Sequence, residues 1–258
     1  MFRAEREKII LDLVNSKGIV SLEELMEATG VSKATAHRYI NELDEMKQLE
    51  KIRGGVRAIN ASYVNAPVDE PPINTKDLMN REEKQRIARA ALELLHPGER
   101  IILDSGTTVL ELAKLINKNF EATVITNDAR IAMELGAHKK IEMLLIGGMI
   151  RTGYYSSYGY FAESMLNSIA ADKLFFSADA ISPDFEIMNY NMNEVNMKKI
   201  CVAKARERIL LCDHSKFAAR ALFAFETIDS VDTVIVGREL DESIQNQLRQ
   251  LGKRLILA

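Results

Sequence analysis

The stretch LDSGTTVLELA, residues 103–113, decides how the rest of the chain reads. It opens as a buried strand and closes as a helix with an apolar stripe. Between them stand Asp104, Ser105, Gly106, Thr107 and Thr108, residues that no hydrophobic core requires. A strand that turns at once into a helix leaves backbone amides unpaired and aims the positive end of the helix dipole at the turn. One reading is an ordinary capped turn. The other is an anion cradle, with hydroxyls from Ser105, Thr107 and Thr108 and close backbone approach at Gly106. The spacing is neither G-x-G-x-x-G nor that of a P-loop, so neither a dinucleotide nor an NTP is indicated.

Outward from this turn, residues 81–258 alternate between helical and strand patterns. Strands are expected at 101–104, 123–126, 142–147, 173–178, 209–212, 233–237 and 254–258; helices lie near 81–96, 107–117, 128–136, 162–170, 194–206 and 241–251. Apolar strands separated by helices indicate an α/β layer structure with a mostly parallel sheet. Ligands of such sheets sit beyond the carboxyl ends of the strands. There this chain places Asn127 and Asp128, Gly147 and Gly148 with Arg151, Asp179, and the run Asp213-His214-Ser215-Lys216. Lys216 supplies the positive charge a phosphate dianion requires, and Asn127 and Asp179 suit sugar hydroxyls. Charge-assisted hydrogen bonds of about 1.5–3 kcal/mol each make a few such groups enough to hold a small sugar phosphate. The expected effector site is therefore Asp104, Ser105, Gly106, Thr107, Thr108, Asn127, Gly147, Gly148, Asp179 and Lys216.

Residues 1–59 follow another pattern. Ile9, Ile10, Leu13 and Val14 recur at helical spacing. Ser21-Leu22-Glu23-Glu24 is a capping box opening a helix that stops at Gly30. Ser32 caps a further helix running to about Met46, and LEKIRGGVRAI reads as two short strands around a Gly54-Gly55 turn. Three helices and a hairpin make a winged helix-turn-helix. In such proteins the second helix of the motif enters the major groove by its N-terminal residues. The expected DNA contacts are Ser32, Lys33, Thr35, His37, Arg38 and Tyr39 on that helix, with Lys51, Arg53 and Gly54 on the hairpin. Tyr39 reads as packing or a phosphate contact. Residues 60–80, with Pro67, Pro71 and Pro72, read as a linker with some helix near its end.

The bulk numbers exclude several classes. A chain of 258 residues with 47% apolar and 28% charged residues is an ordinary globular protein, and its net charge of −3 announces no overall basic field. The charged N-terminus lacks a signal peptide's apolar core, and no apolar run nears the ~20 residues of a membrane span. Cys201 and Cys212 fit neither a disulfide framework nor a zinc pattern. A cytoplasmic, reduced protein is expected, with no membrane partner, no metal and no cofactor. Other features read more plainly. Four tyrosines in RTGYYSSYGYF, residues 151–161, mark a surface loop, a lid or an oligomer contact. Glu194 and Lys198 read as a surface i,i+4 pair. Cys212 reads as core, and adjacent His214 and Ser215 point apart, which argues against nucleophilic catalysis.

Taken in order, these segments resemble the DeoR family of bacterial transcriptional regulators over almost the whole chain. The resemblance is carried by GVSKATAHRYINELDEM and IRGGV, then by EKQRIARAA, LDSGTT, VITN, LIGGMIR, ADKLFFSA and LCDHSKF. It implies a repressor, less often an activator, of sugar or nucleoside catabolic genes, with a sensor domain similar to ribose-5-phosphate isomerase and a phosphorylated sugar as effector. His37 and Tyr39 stand where the family usually has Arg and Asp, and the wing lacks the usual His, so the operator sequence is this chain's own.

The competing class is a sugar-phosphate isomerase with an accessory DNA-binding domain. Isomerases of the similar fold carry an Asp-Gly-Ala-Asp-Glu run; here only Asp179 remains, in Ser177-Ala178-Asp179-Ala180-Ile181. Enediol chemistry needs a base and a second acid or oxyanion stabiliser. The sequence therefore reads as a binding site without catalytic residues, not an enzyme. Its expected partners are double-stranded operator DNA, the phosphorylated sugar, and further copies in a homodimer or homotetramer.

Overall fold

The computed structural model describes residues 3–17, 19–46, 48–52, 54–57 and 70–258. The chain divides into two compact units, residues 1–81 and 82–258.

The first unit runs α1 (Arg3–Lys17), β1 (Ile19–Ser21), α2 (Leu22–Thr29), α3 (Lys33–Glu45), β2 (Glu50–Ile52), β3 (Gly55–Arg57) and α4 (Ile73–Leu78). The capping box forms as the sequence requires. The Ser21 hydroxyl accepts from the Glu24 amide, the Glu24 carboxylate accepts from the Ser21 amide, and Gly30 ends α2 in the left-handed conformation at φ 65°. Ile10, Val14, Leu25, Ile40, Leu43 and Val56 pack into one core. Two details differ from the expected hairpin. A third strand, β1, pairs with β3, giving the order β1-β3-β2. Gly55 belongs to β3 rather than to the turn, because a Cβ there would collide with the Val20 carbonyl. At the end of the expected linker, α4 packs on β1, and Thr75 donates to the Glu24 carboxylate at 3.3 Å. Residues 58–69, which include the first part of that linker, lie outside the described residues.

The second unit begins in α5 (Arg81–Leu92) and continues β4 (Arg100–Leu103), α6 (Thr107–Leu115), β5 (Ala122–Thr126), α7 (Ala129–Leu135) and β6 (Ile141–Leu145). A hairpin follows, β7 (Met149–Ile150) and β8 (Ser157–Tyr158), then α8 (Tyr160–Asn167), β9 (Ala171–Phe176), β10 (Ala180–Ile181) and β11 (Glu186–Asn189). The chain ends with α9 (Met192–Lys204), β12 (Ala205–Cys212), β13 (Phe223–Thr227), β14 (Thr233–Val236), α10 (Glu242–Gln250) and β15 (Arg254–Leu257). Seven strands form one sheet in the order β15-β14-β12-β9-β4-β5-β6, and every pairing in it is parallel.

Alternation along each strand divides the core into two layers. Ile101, Val124, Phe175, Ile209 and Ile235 face α5, α6 and α7, while Ile102, Ile125, Phe176, Leu210 and Val234 face α8, α9 and α10. Cys212 lies in the second layer as a free thiol. The small antiparallel sheet β10-β11-β13 has no counterpart in the sequence reading. Among the described residues no helix is long and apolar enough to cross a membrane.

Substituting Gly55→Ala is expected to destabilise the first unit by about 1–3 kcal/mol, the usual cost of forcing an atom into a packed position. Thermal melts of the two units measure it, and only the first transition should move.

Candidate functional site: the carboxyl edge of the sheet and the recognition helix

The sequence Asp104–Thr108 lies where β4 hands over to α6. Gly106 is the N-cap of α6, and no side chain caps that helix, so its first-turn amides stay open toward the strand ends. Gly106 has a steric cause: a Cβ there would strike the Ser177 hydroxyl beyond β9. Ser105, Gly106 and Thr107 are half-buried, whereas Asp104 and Thr108 are buried.

Asp104 departs from its expected role. Its carboxylate forms an ion pair with the ammonium of Lys198 on α9, which also donates to the Ser177 carbonyl at 3.1 Å. Burial pushes the Asp104 carboxyl up, against the pull of Lys198. Burial also opposes charge on Lys198, but Asp104, Glu194 and Asp179 outweigh it and hold the ammonium above its ordinary value. The two shifts favour opposite places for one proton, and the lysine decides, because Ser177 also stabilises its charge. Asp104 thus anchors the loop from beneath. Its other carboxylate oxygen has no partner.

Asn127 is also structural. Its side-chain oxygen accepts from the Ser105 amide at 3.2 Å, and its amide donates to the Ser157 carbonyl at 3.2 Å. It ties the loop Asp104–Thr108 to the hairpin segment 151–158. That segment is held a second time by Glu194 of α9, whose carboxylate accepts from Arg151 at 3.0 Å, from Asn189 at 3.0 Å and from the Ser156 hydroxyl. Glu194 and Lys198 are therefore not the surface pair expected. Both are buried, each paired with a distant segment. The signal was present: they share the α9 face of buried Cys201, at spacings of four and three residues.

The tyrosine-rich stretch forms this fastened hairpin. Arg151 stacks on Tyr154 at 3.8 Å, and Tyr155 takes a left-handed φ of 65°. Gly148 is required by the hairpin, since a Cβ would lie 2.7 Å from the Tyr158 carbonyl and 2.9 Å from the Ala162 Cβ. Gly147 is exposed with open space around it. Asp179 follows β9, and its carboxylate accepts from the Tyr190 amide at 3.1 Å. Lys216 sits half-buried in the single turn His214–Phe217 beyond β12, which Asp213 caps. Its ammonium has no hydrogen-bond or ion-pair partner among the described residues. The structure thus joins Ser105 to Asn127 and anchors adjacent Asp104 on Lys198, with Gly106 next in the same loop. Asp179 follows the adjacent strand β9, while Gly147 and Gly148 after β6 and Lys216 after β12 lie at strand ends further along the sheet.

A second cluster was missed. Glu83, in the first turn of α5, accepts from the His214 amide at 2.7 Å and meets the His214 Nδ1 at 2.7 Å. With Asp213 their ligand atoms lie within 4.8 Å of one another. The hydrogen bond to the Glu83 carboxylate raises the His214 pKa above its ordinary 6.5, over the opposing effect of burial. Cys201 and Cys212 are inert by contrast, burial pushing both thiols well up.

In the first unit, Ser32 caps α3, accepting from the Thr35 amide at 3.4 Å. Ser32, Lys33, His37 and Arg38 are exposed, Thr35 half so, forming one face at the start of the helix. Tyr39 is corrected: at 2% exposure it is core, because its helical position points with Ala36, Ile40 and Leu43 toward the packing face. Lys51 is exposed, but its ammonium is held by Asn41 of α3 at 2.8 Å. Gly54 is exposed in the turn at φ 89°. Arg53 and the Arg57 side chain lie outside the described residues.

A winged helix joined in sequence to a parallel sheet, with a helix start left uncapped at the sheet's carboxyl edge, is the build of a DNA-reading, ligand-sensing regulator. Residues 6–62 match the DeoR-like helix-turn-helix domain and residues 79–238 the DeoR C terminal sensor domain. The chain belongs to the DeoR family of transcriptional regulators. It is 31% identical to an HTH-type transcriptional regulator of Haemophilus influenzae, over 100% of this chain and 98% of that protein. It is 31% identical to the glycerol-3-phosphate regulon repressor of Escherichia coli, over 91% of this chain and 90% of the repressor. These relatives are named as regulators, not enzymes, so the isomerase alternative gains no support from them. Among solved structures, ribose 5-phosphate isomerase A of Methanocaldococcus jannaschii is 18% identical over 54% of this chain and 55% of that chain, with a TM-score of 0.40, a likeness too loose to bear on function.

Lys198→Met leaves the Asp104 carboxylate buried without its cation and should cost about 3–5 kcal/mol in urea denaturation. Adding Asp104→Asn should recover part of that loss. For His214, the folded pKa lies above the unfolded one, so its contribution to stability is complete below about 6.5 and is lost as pH rises through the higher folded value. Thermal melts across that window should show the decline in the wild type and a flatter slope in His214→Asn.

Proposed function

We propose that the protein is a cytoplasmic repressor of a sugar or nucleoside catabolic operon, whose grip on operator DNA is set by a phosphorylated sugar at the carboxyl edge of the sensor sheet. The observation that carries this reading is the uncapped start of α6 at a strand end. Free amides, the hydroxyls of Ser105 and Thr107, and a helix dipole are what a phosphate group requires. Lys216 brings the formal charge from the end of β12, and Asp179 and the exposed backbone at Gly147 offer polar partners to the sugar. Asp104, Asn127 and Gly148 support the site as its frame.

In the DNA-reading unit, Lys33, His37 and Arg38 are placed to touch bases or phosphates, with Ser32 and Thr35 fixing the helix start. Lys51 and Gly54, exposed around the hairpin turn, suit a wing that contacts the DNA backbone, and Arg53, next to them in sequence, would add to its charge. Two copies are required to read paired half-sites about one helical turn, ~34 Å, apart or a multiple of it. A homodimer, or a homotetramer of paired dimers, meets that need. The effector and operator are linked through coupling of about 1–3 kcal/mol, a five- to 150-fold change in DNA affinity.

The test uses two variants and two measurements. Arg38→Ala should abolish binding to a duplex selected by the protein from a random library, yet leave thermal stabilisation by phosphorylated sugars intact. Lys216→Ala should keep the DNA affinity and lose the stabilisation. Equal loss of both activities in either folded variant would contradict two separable sites.

A further inference from the structure

We propose that Glu83 is a positioning residue that links the phosphate-binding turn to the start of the sensor unit, so that the Glu83–His214 contact carries the effector signal toward the DNA-reading unit. The inference rests on the phosphate site proposed above.

Three observations converge. The Glu83 carboxylate holds the turn His214–Phe217 by both oxygens, one on the His214 amide and one on Nδ1, each at 2.7 Å. That turn carries Lys216, so where Glu83 sits decides where the ammonium points. Glu83 also lies two residues beyond Arg81, where the DNA-reading unit ends in the chain. It occupies the first turn of α5, whose opening residues the turn therefore grips. Finally, the space for this carboxylate is built in: a Cβ on Gly237, just past β14, would collide with Oε1 of Glu83 and with the Glu239 carboxylate. Glu239 is paired in turn with Arg86, one helical turn further along α5.

This is a hydrogen-bonded joint rather than a metal site. The bonds already made favour this: both Glu83 oxygens are on His214, and Asp213 Oδ1 accepts from the Ser215 amide at 3.1 Å and from the Ser215 hydroxyl. A phosphate drawing Lys216 toward α6 pulls on the turn and hence on Glu83. In the other direction, DNA that favours one placement of the start of α5 sets the turn in or out of reach of the phosphate. Reciprocity of this kind is what linkage requires.

The experiment measures affinity for the selected duplex by fluorescence anisotropy, with and without saturating ribose 5-phosphate, glycerol 3-phosphate or inorganic phosphate. For the wild type at least one probe should change the affinity by about five- to 150-fold. In Glu83→Ala the probe-free affinity should remain within about two-fold of the wild type, while the probe's effect shrinks to a similar margin. Glu83→Gln, which still accepts from the His214 amide, should restore part of the response, a rescue that loss of packing alone would not give. If Glu83→Ala fails to fold, Gly237→Ala decides, since it displaces the Glu83 carboxylate without substituting Glu83 or His214. A folded Glu83→Ala or Gly237→Ala variant with the full wild-type response overturns the joint while leaving the phosphate site standing. A wild type that answers no phosphorylated probe overturns both.

Discussion

The sensor unit depends on one buried ion pair, Lys198 with Asp104. Desolvating two charges is expensive, and the interior returns that cost only when geometry and extra hydrogen bonds are good. Here the lysine reaches from α9 on one layer of the sheet to the end of β4, and the Ser177 carbonyl beyond β9 takes a second of its protons. Three segments distant in sequence are thereby pinned at one point. The uncapped start of α6 lies directly after that point, so its amides are held in position without side chains of its own to fill them. Preorganised donors cost little to reorganise when an anion arrives.

One turn earlier on α9, Glu194 does the same for the hairpin 151–158, through Arg151 and Ser156. A single helix therefore fastens both the floor of the site and the segment beside it. Asn127 closes the frame by joining the Ser105 amide to the Ser157 carbonyl. Most polar residues at this edge bind the protein to itself. The groups that the proposed reading leaves for a ligand are few: amides of α6, the Ser105 and Thr107 hydroxyls, exposed backbone at Gly147, and the Lys216 ammonium.

Much of this was legible in the sequence, for reasons that are local. The Ser21–Glu24 box, the stop at Gly30 and the Ser32 cap each need only neighbouring residues. The seven sheet strands were visible because the central ones are buried, continuous apolar runs and the two edge strands keep the same apolar composition. What stayed hidden was long-range. Glu194 and Lys198 look like a solvated pair until Arg151 and Asp104, 43 and 94 residues away, are brought to them. Gly55 was read as a turn glycine because its conflict lies with the Val20 carbonyl on another strand. Tyr39 was placed among DNA contacts although its spacing with Ala36, Ile40 and Leu43 already put it on the packed face. The strands of the small sheet β10-β11-β13 are two to five residues long, too short to show a period.

The central claim is that an anion at the strand ends and DNA at the recognition helix are thermodynamically linked. Linkage demands that each ligand alter the other's affinity by the same factor. The direct measurement is calorimetric titration of an active sugar phosphate into the free protein and into its complex with the selected duplex. The account predicts that the effector Kd shifts by the factor by which effector shifts the DNA Kd. An effector Kd indifferent to bound DNA would contradict it.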